Sequence, residues 1–201
     1  IKHVNHCGFP FDEIPENGMK EKIITISSVP LYKIDSVYVA IISTDTLHVT
    51  DIGNTIESFR KMFPDVMIQG INPKFIFGID HIFEVIQIVL ESKNRKINIA
   101  KRLEMEVLLR LICSNQVDKA IDIGGIKNNS SACFILLSEN RRLMTDTIKY
   151  LKVFGIQNLP LLNATTDKIA YICNKMRFRR GNYSKTEFLK ILTEKAVLVS
   201  Q

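Results

Sequence analysis

The sequence predicts an α/β domain of the mixed α+β kind, with a central mixed sheet flanked by helices and a C-terminal helical pair. Three observations predict it. Short β-branched runs bounded by turn residues alternate with stretches whose apolar residues recur at helical spacing. The length of 201 residues, with 46% hydrophobic and 24% charged side chains, suits one ordinary globular domain with a sizeable core. No repeat, low-complexity segment or shift in composition marks a second domain.

Residues 1–21 carry Pro and Gly interruptions and little periodicity, and read as an irregular N-terminal arm, leaving 22–201 as the domain. His3, His6 and Cys7 lie in that arm, one ligand short of a four-coordinate metal site. Lys22–Ser28 and Ser36–Ser43 read as strands, with Val37, Val39 and Ile41 sharing a face. From Asp51 the spacing of Ile52, Ile56, Phe59 and Phe63 is helical, and Pro64 stops it. Pro73 opens a short extended Phe75–Phe77. Asp80 is placed to cap a helix through Phe83, Ile86, Val89 and Leu90, ending in Glu91–Lys96. A second helix is expected from about Asn98 to Cys113. Asn115 is placed to cap a third, Gln116–Ile123, closed by Gly124-Gly125 in the left-handed region. Ala132–Leu137 reads as a strand and Asp146–Phe154 as a helix ended by Gly155. Two tail helices follow, about Thr166–Met176 and Ser184–Val197, the latter opened by a Ser184/Glu187 capping box.

The usual catalytic signals are missing: the sequence has no GxxxxGK[ST], no GxSxG and no HExxH. Asp118 and Asp122, four apart, share a helix face, which is more simply a solvated face than an acid–base pair. His48 and His81 sit near element boundaries, as caps or surface contacts do, and Cys113 follows an apolar run as a small buried hydrophobe would. Cys7, Cys113, Cys133 and Cys173 make no CxxC pair, so reduced thiols and a cytoplasmic location are expected. Neither a leader peptide nor a run long enough for a membrane span is visible. No cofactor is expected.

The net charge of +6 and pI near 9.1 fit an anionic partner or a plain solvated surface. Two basic clusters stand out. Lys93, Arg95, Lys96, Lys101 and Arg102 span a turn and the start of the next helix. Lys175, Arg177, Arg179 and Arg180 are interleaved with Phe178 and Tyr183. The second reads in two ways: as a single-stranded RNA platform, with bases stacked on rings and phosphates on arginines, or as a charged loop whose Phe178 returns to the core.

Ile99-Ala100, followed by Met105-Glu106-Val107-Leu108-Leu109-Arg110, resembles the central helix of the kinase-binding subunit of the KEOPS/EKC complex, the TPRKB family, in its archaeal form. The likeness continues through Asn115-Gln116-Val117, Ala120-Ile121, Gly125-Ile126 and the strand Cys133–Leu137. Upstream, Gly70-Ile71-Asn72-Pro73 is similar to the segment before the family's first long helix. Downstream, Ile169–Met176 and Glu194–Val199 are similar to its C-terminal end. The resemblance thus spans about Lys22 to Val199. It departs from the family where Lys101-Arg102 is more basic and Leu111-Ile112-Cys113 more apolar.

The resemblance implies a non-catalytic subunit without a cofactor. Such a subunit docks on the small atypical kinase/ATPase of the complex and stimulates it, alongside the subunit that transfers threonylcarbamoyl to tRNA. It also implies a hand in holding the tRNA 3′ CCA end, which would give both basic clusters a partner. An apolar face drawn from Ile169, Ile172, Leu189 and Leu192 is the kinase-interface candidate, and the same residues would serve equally to close the core. The alternatives are a stand-alone RNA-binding module and a small enzyme.

Overall fold

The computed structural model describes residues 21–26, 28–152, 159–179 and 181–199. The N-terminal arm up to residue 20, with His3, His6 and Cys7, lies outside them, as do Phe154-Gly155 and Arg180. Among the described residues five strands form one sheet in the order β1-β2-β3-β5-β4: β1 Glu21–Ile26, β2 Val29–Ile34, β3 Val37–Leu47, β4 Met67–Ile71 and β5 Ser130–Ser138. The mixed α+β class is as expected, but every strand pairing is antiparallel rather than mixed.

β3 and β5 are the centre of the sheet. Their residues alternate between two cores, with Val37, Val39, Ile41, Cys133, Ile135 and Leu137 on one face. Ala40, Ile42, Ala132, Phe134 and Leu136 are on the other. Because both faces are covered, these strands read as nearly continuous apolar runs. β2 escaped the sequence reading because Pro30 removes a ladder donor and Lys33 breaks the run. It is joined to β3 by the two-residue turn Asp35-Ser36, with Asp35 at φ 52°, a left-handed position that Asp tolerates. β4 was missed for a similar reason, since Gln69 and Gly70 interrupt it. It is an edge strand paired only with β5.

The helices are α1 Ile52–Met62, α2 Gly78–Arg95, α3 Leu103–Leu111, α4 Val117–Gly124, α5 Arg141–Leu151, α6 Thr166–Met176 and α7 Lys185–Leu198. α1 and α5 cover one face of the sheet through Phe59, Met144, Ile148 and Leu151. α2, α3, α6 and α7 build the core on the other face through Ile86, Leu108, Ile172 and Leu192. Asp51 caps α1 by accepting from the Asn54 amide, and the Ser184/Glu187 capping box opens α7 as its spacing predicts.

Several boundaries differ from expectation for local reasons. α2 starts at Gly78, two residues before Asp80, because Gly78 takes φ 87° and turns the chain into the helix. Of the extended Phe75–Phe77 expected after Pro73, Ile76 is extended, but Phe75 closes a 3-10 turn, Pro73–Phe75, in which the Asn72 side chain accepts from the Lys74 amide. α5 begins at Arg141, capped by Asn140 instead of starting near Asp146. α4 is entered from Gln116 rather than Asn115, with no side-chain cap. At its end Gly125 is extended (φ −66°), not left-handed; a Cβ there would stand 2.5 Å from the Ile121 carbonyl oxygen. Close approach of backbone to backbone, not a positive φ, requires this glycine. Gly125→Ala is therefore expected to lower the unfolding free energy by about 1–3 kcal/mol in urea titration; an unchanged midpoint would show that the turn relaxes freely.

Candidate functional site

Five of the residues that carry the resemblance, Ile99, Ala100, Glu106, Arg110 and Ala196, meet in one place. Glu106 and Arg110 are four apart on α3, on one face, and both side chains are 0% exposed. Arg110 Nε donates to Glu106 Oε1 at 2.9 Å. The Nη2 atom lies 2.8 Å from the same oxygen, as a charge pair without an aligned hydrogen bond. The other carboxylate oxygen accepts from the backbone amides of Ile99 (2.9 Å) and Ala100 (2.8 Å). Arg110 Nη1 donates to the Ala196 carbonyl of α7 at 2.7 Å. One ion pair thus holds the loop before α3 on one side and the last helix on the other. α3 begins at Leu103 rather than near Asn98, and the Ile99 and Ala100 amides in the loop before it are met by the Glu106 carboxylate.

The first basic cluster is exposed along this loop: Lys93 and Arg95 end α2, Lys96 caps it in the left-handed region, and Lys101 and Arg102 lead into α3. Lys93 and Arg102 also line a cleft of about 870 Å³ beside β4 and the start of α5. Arg60 and Lys61, which the sequence reading passed over, line it too. The cleft is not simply cationic. Arg60 and Arg102 are tied to Glu57 and Glu104, and Arg95 pairs with Glu91 outside it. Around this loop and cleft Lys61, Lys93, Lys96 and Lys101 have no carboxylate partner among the described residues and are open to phosphate.

In the second cluster Lys175, Arg177 and Arg179 are exposed, and Arg180 lies outside the described residues. Phe178 is half-buried against the core, with the Lys195 ammonium 4.9 Å from its ring centre. Of the two readings of this segment, the structure favours the second for Phe178: it is a packed ring under a lysine, not an open platform. Lys195 adjoins Ala196, the residue held by Arg110, so contacts run from Phe178 through α7 and the ion pair to the loop of the first cluster.

Of the two roles open to the kinase-interface candidates, burial fits closing the core. Ile172 and Leu192 are 0% exposed and Ile169 is buried, while Leu189 is half-buried against the same core. All four close the domain, because α6 and α7 pack inward on α2, α3 and the sheet through these side chains. Large apolar side chains exposed among the described residues are Ile24, Met62, Val117 and Ile121, together with three beside the ion pair. Ile97 and Ile99 (36% exposed) are on the loop held by Glu106, and Leu198 (46%) is in the last turn of α7 beyond Ala196. Nothing in the sequence pattern marks them, since Ile97 and Ile99 lie on a loop without periodicity and Leu198 is exposed in the last turn of its helix.

Titratable groups away from these clusters are held by structure. His81 is fully buried at the start of α2, with Nδ1 accepting from the Phe77 amide at 3.2 Å. Burial, then the charge of Lys168, lowers its pKa to about 4. Lys168 Nζ donates to the Ile76 and Leu161 carbonyls, and burial lowers its own pKa to about 8. Burial pushes the Cys113 thiol up to about 12, which leaves it a poor nucleophile. Asp118 and Asp122 are both solvent-exposed. Among the described residues no three His, Cys, Asp or Glu side chains converge as a metal site, and no helix is long and apolar enough to cross a membrane.

Two outcomes follow. Glu106→Ala and Arg110→Ala should each lower stability by about 3–5 kcal/mol by stranding a buried charge, and the double variant should lose less than the sum; strictly additive losses in denaturant titration would mean that the two are not coupled. The His81 pKa is depressed from 6.5 to about 4, so the unfolded chain binds a proton that the folded chain refuses. Stability contributed above about pH 6.5 is lost as the pH falls through 4, by up to about 3 kcal/mol. His81→Gln should flatten the urea midpoint between pH 7 and 4.5; an equal slope in both proteins would remove His81 from the account.

No family model matches this chain, and no curated protein shows significant similarity to it.

Proposed function

We propose that this chain is a non-catalytic subunit of a KEOPS-type complex in the cytoplasm. In this reading it docks on the small atypical kinase/ATPase and stimulates it, and helps hold tRNA by its 3′ CCA end during threonylcarbamoyladenosine modification next to the anticodon. The observation that carries the reading is the meeting of Ile99-Ala100 with Glu106 and Arg110, because these residues, which resemble the family, tie loop, central helix and last helix together.

The exposed apolar groups flanking that ion pair, Ile97, Ile99 and Leu198, supply the desolvated centre that a protein interface needs. The unpaired Lys93, Lys96 and Lys101, with Lys175, Arg177 and Arg179, supply contacts for a phosphate backbone. A stand-alone RNA-binding module is the second reading, favoured by these cations alone; it differs in having no kinase partner.

Ile99→Glu combined with Leu198→Glu is expected to abolish co-elution with the kinase while circular dichroism and the unfolding midpoint hold. Both side chains are exposed, so retained co-elution would remove this surface from the interface. For RNA, about four cations on a single strand give a slope of log affinity against log salt of roughly −3. Lys93→Ala with Lys101→Ala should bring it to about −1 to −2. A flat response in the parent protein, or equal affinity for tRNA lacking its CCA end, would count against tRNA holding.

A further inference from the structure

A second hollow, of about 480 Å³, lies between α6 and residues 181–183. We propose that it is a nucleobase pocket, in which an unpaired base of single-stranded RNA stacks on the Tyr171 and Tyr183 rings while the cations of the neighbouring segment hold its phosphates.

The lining points to a flat, neutral, hydrogen-bonding ligand. Tyr171, Tyr183, Asn174, Asn182 and Thr166 contribute to it, and no charged side chain does among the described residues. A pocket for a bare anion would carry a cation in its wall, and one for an aliphatic group would not carry two carboxamides. Carboxamides offer donors and acceptors together, as base edges do, and tyrosine rings offer stacking area at little entropic cost. The volume is within the range of small-ligand sites.

Both rings are held in place from behind. Tyr183 donates its hydroxyl hydrogen to the Arg179 carbonyl at 2.9 Å and lies against Phe188, with ring centres 5.8 Å apart. Tyr171 packs on Phe75 at 5.3 Å, and the Lys74 ammonium sits 5.6 Å from its ring centre. Gly181 leaves the Tyr183 ring its position: a Cβ there would lie 3.0 Å from the ring. The exposed Lys175, Arg177 and Arg179 follow directly from α6 into the loop that forms the pocket wall, which places phosphate-binding charge on the chain beside it. The aromatic–cation interleaving seen in the sequence is therefore met by Tyr171 and Tyr183 rather than by Phe178.

This inference deepens the RNA part of the proposed function and stands with any single-stranded RNA, so its binding test needs no tRNA, and co-elution with the kinase is read separately on the same variants. The probe is a short unstructured RNA carrying one 2-aminopurine, whose fluorescence reports stacking. With the full chain, quenching on binding is expected, and Tyr171→Ala should weaken affinity about tenfold. Tyr171→Phe, which keeps the ring, should stay within about twofold. Ala170→Trp, at an exposed position lining the pocket, should block it as Tyr171→Ala does, and serves where the alanine variant fails to fold. The salt slope should be unchanged in these variants, since no phosphate contact is removed. Parent-like RNA affinity in Tyr171→Ala and Ala170→Trp overturns the pocket but leaves tRNA holding by the cations intact. Parent-like RNA binding with lost kinase co-elution in Ala170→Trp would assign the hollow to a protein side chain, and also overturns it. Pocket-dependent binding of the short RNA without kinase co-elution would instead sink the proposed complex and keep the pocket.

Discussion

The buried pair Glu106–Arg110 is the interaction on which the arrangement of the helices depends. Two charges out of water are costly, and here the cost is offset by geometry: each oxygen of the carboxylate and two of the guanidinium nitrogens have aligned partners. Oε1 and Nε meet each other, and the remaining partners are backbone groups of the loop before α3 and of α7. The pair therefore does what apolar packing cannot, because a methyl group can slide along a helix whereas an amide must be met at one distance and one angle. It ties the loop before α3 and the end of α7 to α3.

Around that pair the sheet does the larger thermodynamic work. β3 and β5 bury both faces, so removing either helical layer would expose a complete apolar surface rather than a rim. Two polar side chains that enter these cores are tied to backbone groups. The Phe77 amide is met by His81, and the Ile76 and Leu161 carbonyls by Lys168. These links sit where chain segments of irregular geometry join α2 and α6, in places where a regular ladder has no bond to offer.

Function, in the proposed reading, uses what the core leaves outside. The ion pair brings the loop of residues 97–102 and the last turn of α7 to the same anchor. Exposed Ile99, Leu198 and a run of lysines thereby flank a rigid support rather than a free loop. Rigidity matters here because a surface that is ordered before binding loses less entropy when a partner arrives. The division of charge follows the same logic. Arginines near the cleft are engaged with Glu57 and Glu104, while lysines, more strongly hydrated, remain in solvent.

Sequence by itself determined the fold class, the alternating strand faces of β3 and β5, and the two tail helices with their capping box, because each depends on neighbours within a few residues. The helical spacing of α1 and the solvated Asp118/Asp122 face were legible for the same reason. β2 and β4 were not, since Pro30, Gln69 and Gly70 hide strands whose pairing is decided by a partner elsewhere in the chain. Tertiary structure alone decided the rest: that Glu106 and Arg110 are buried, that Ile172 and Leu192 face inward, that Phe178 lies under Lys195, and that Tyr171 and Tyr183 line a hollow. Burial and convergence arise from contacts between segments dozens of residues apart, and no local period encodes which apolar stripe will meet a partner within the chain and which will stay in solvent.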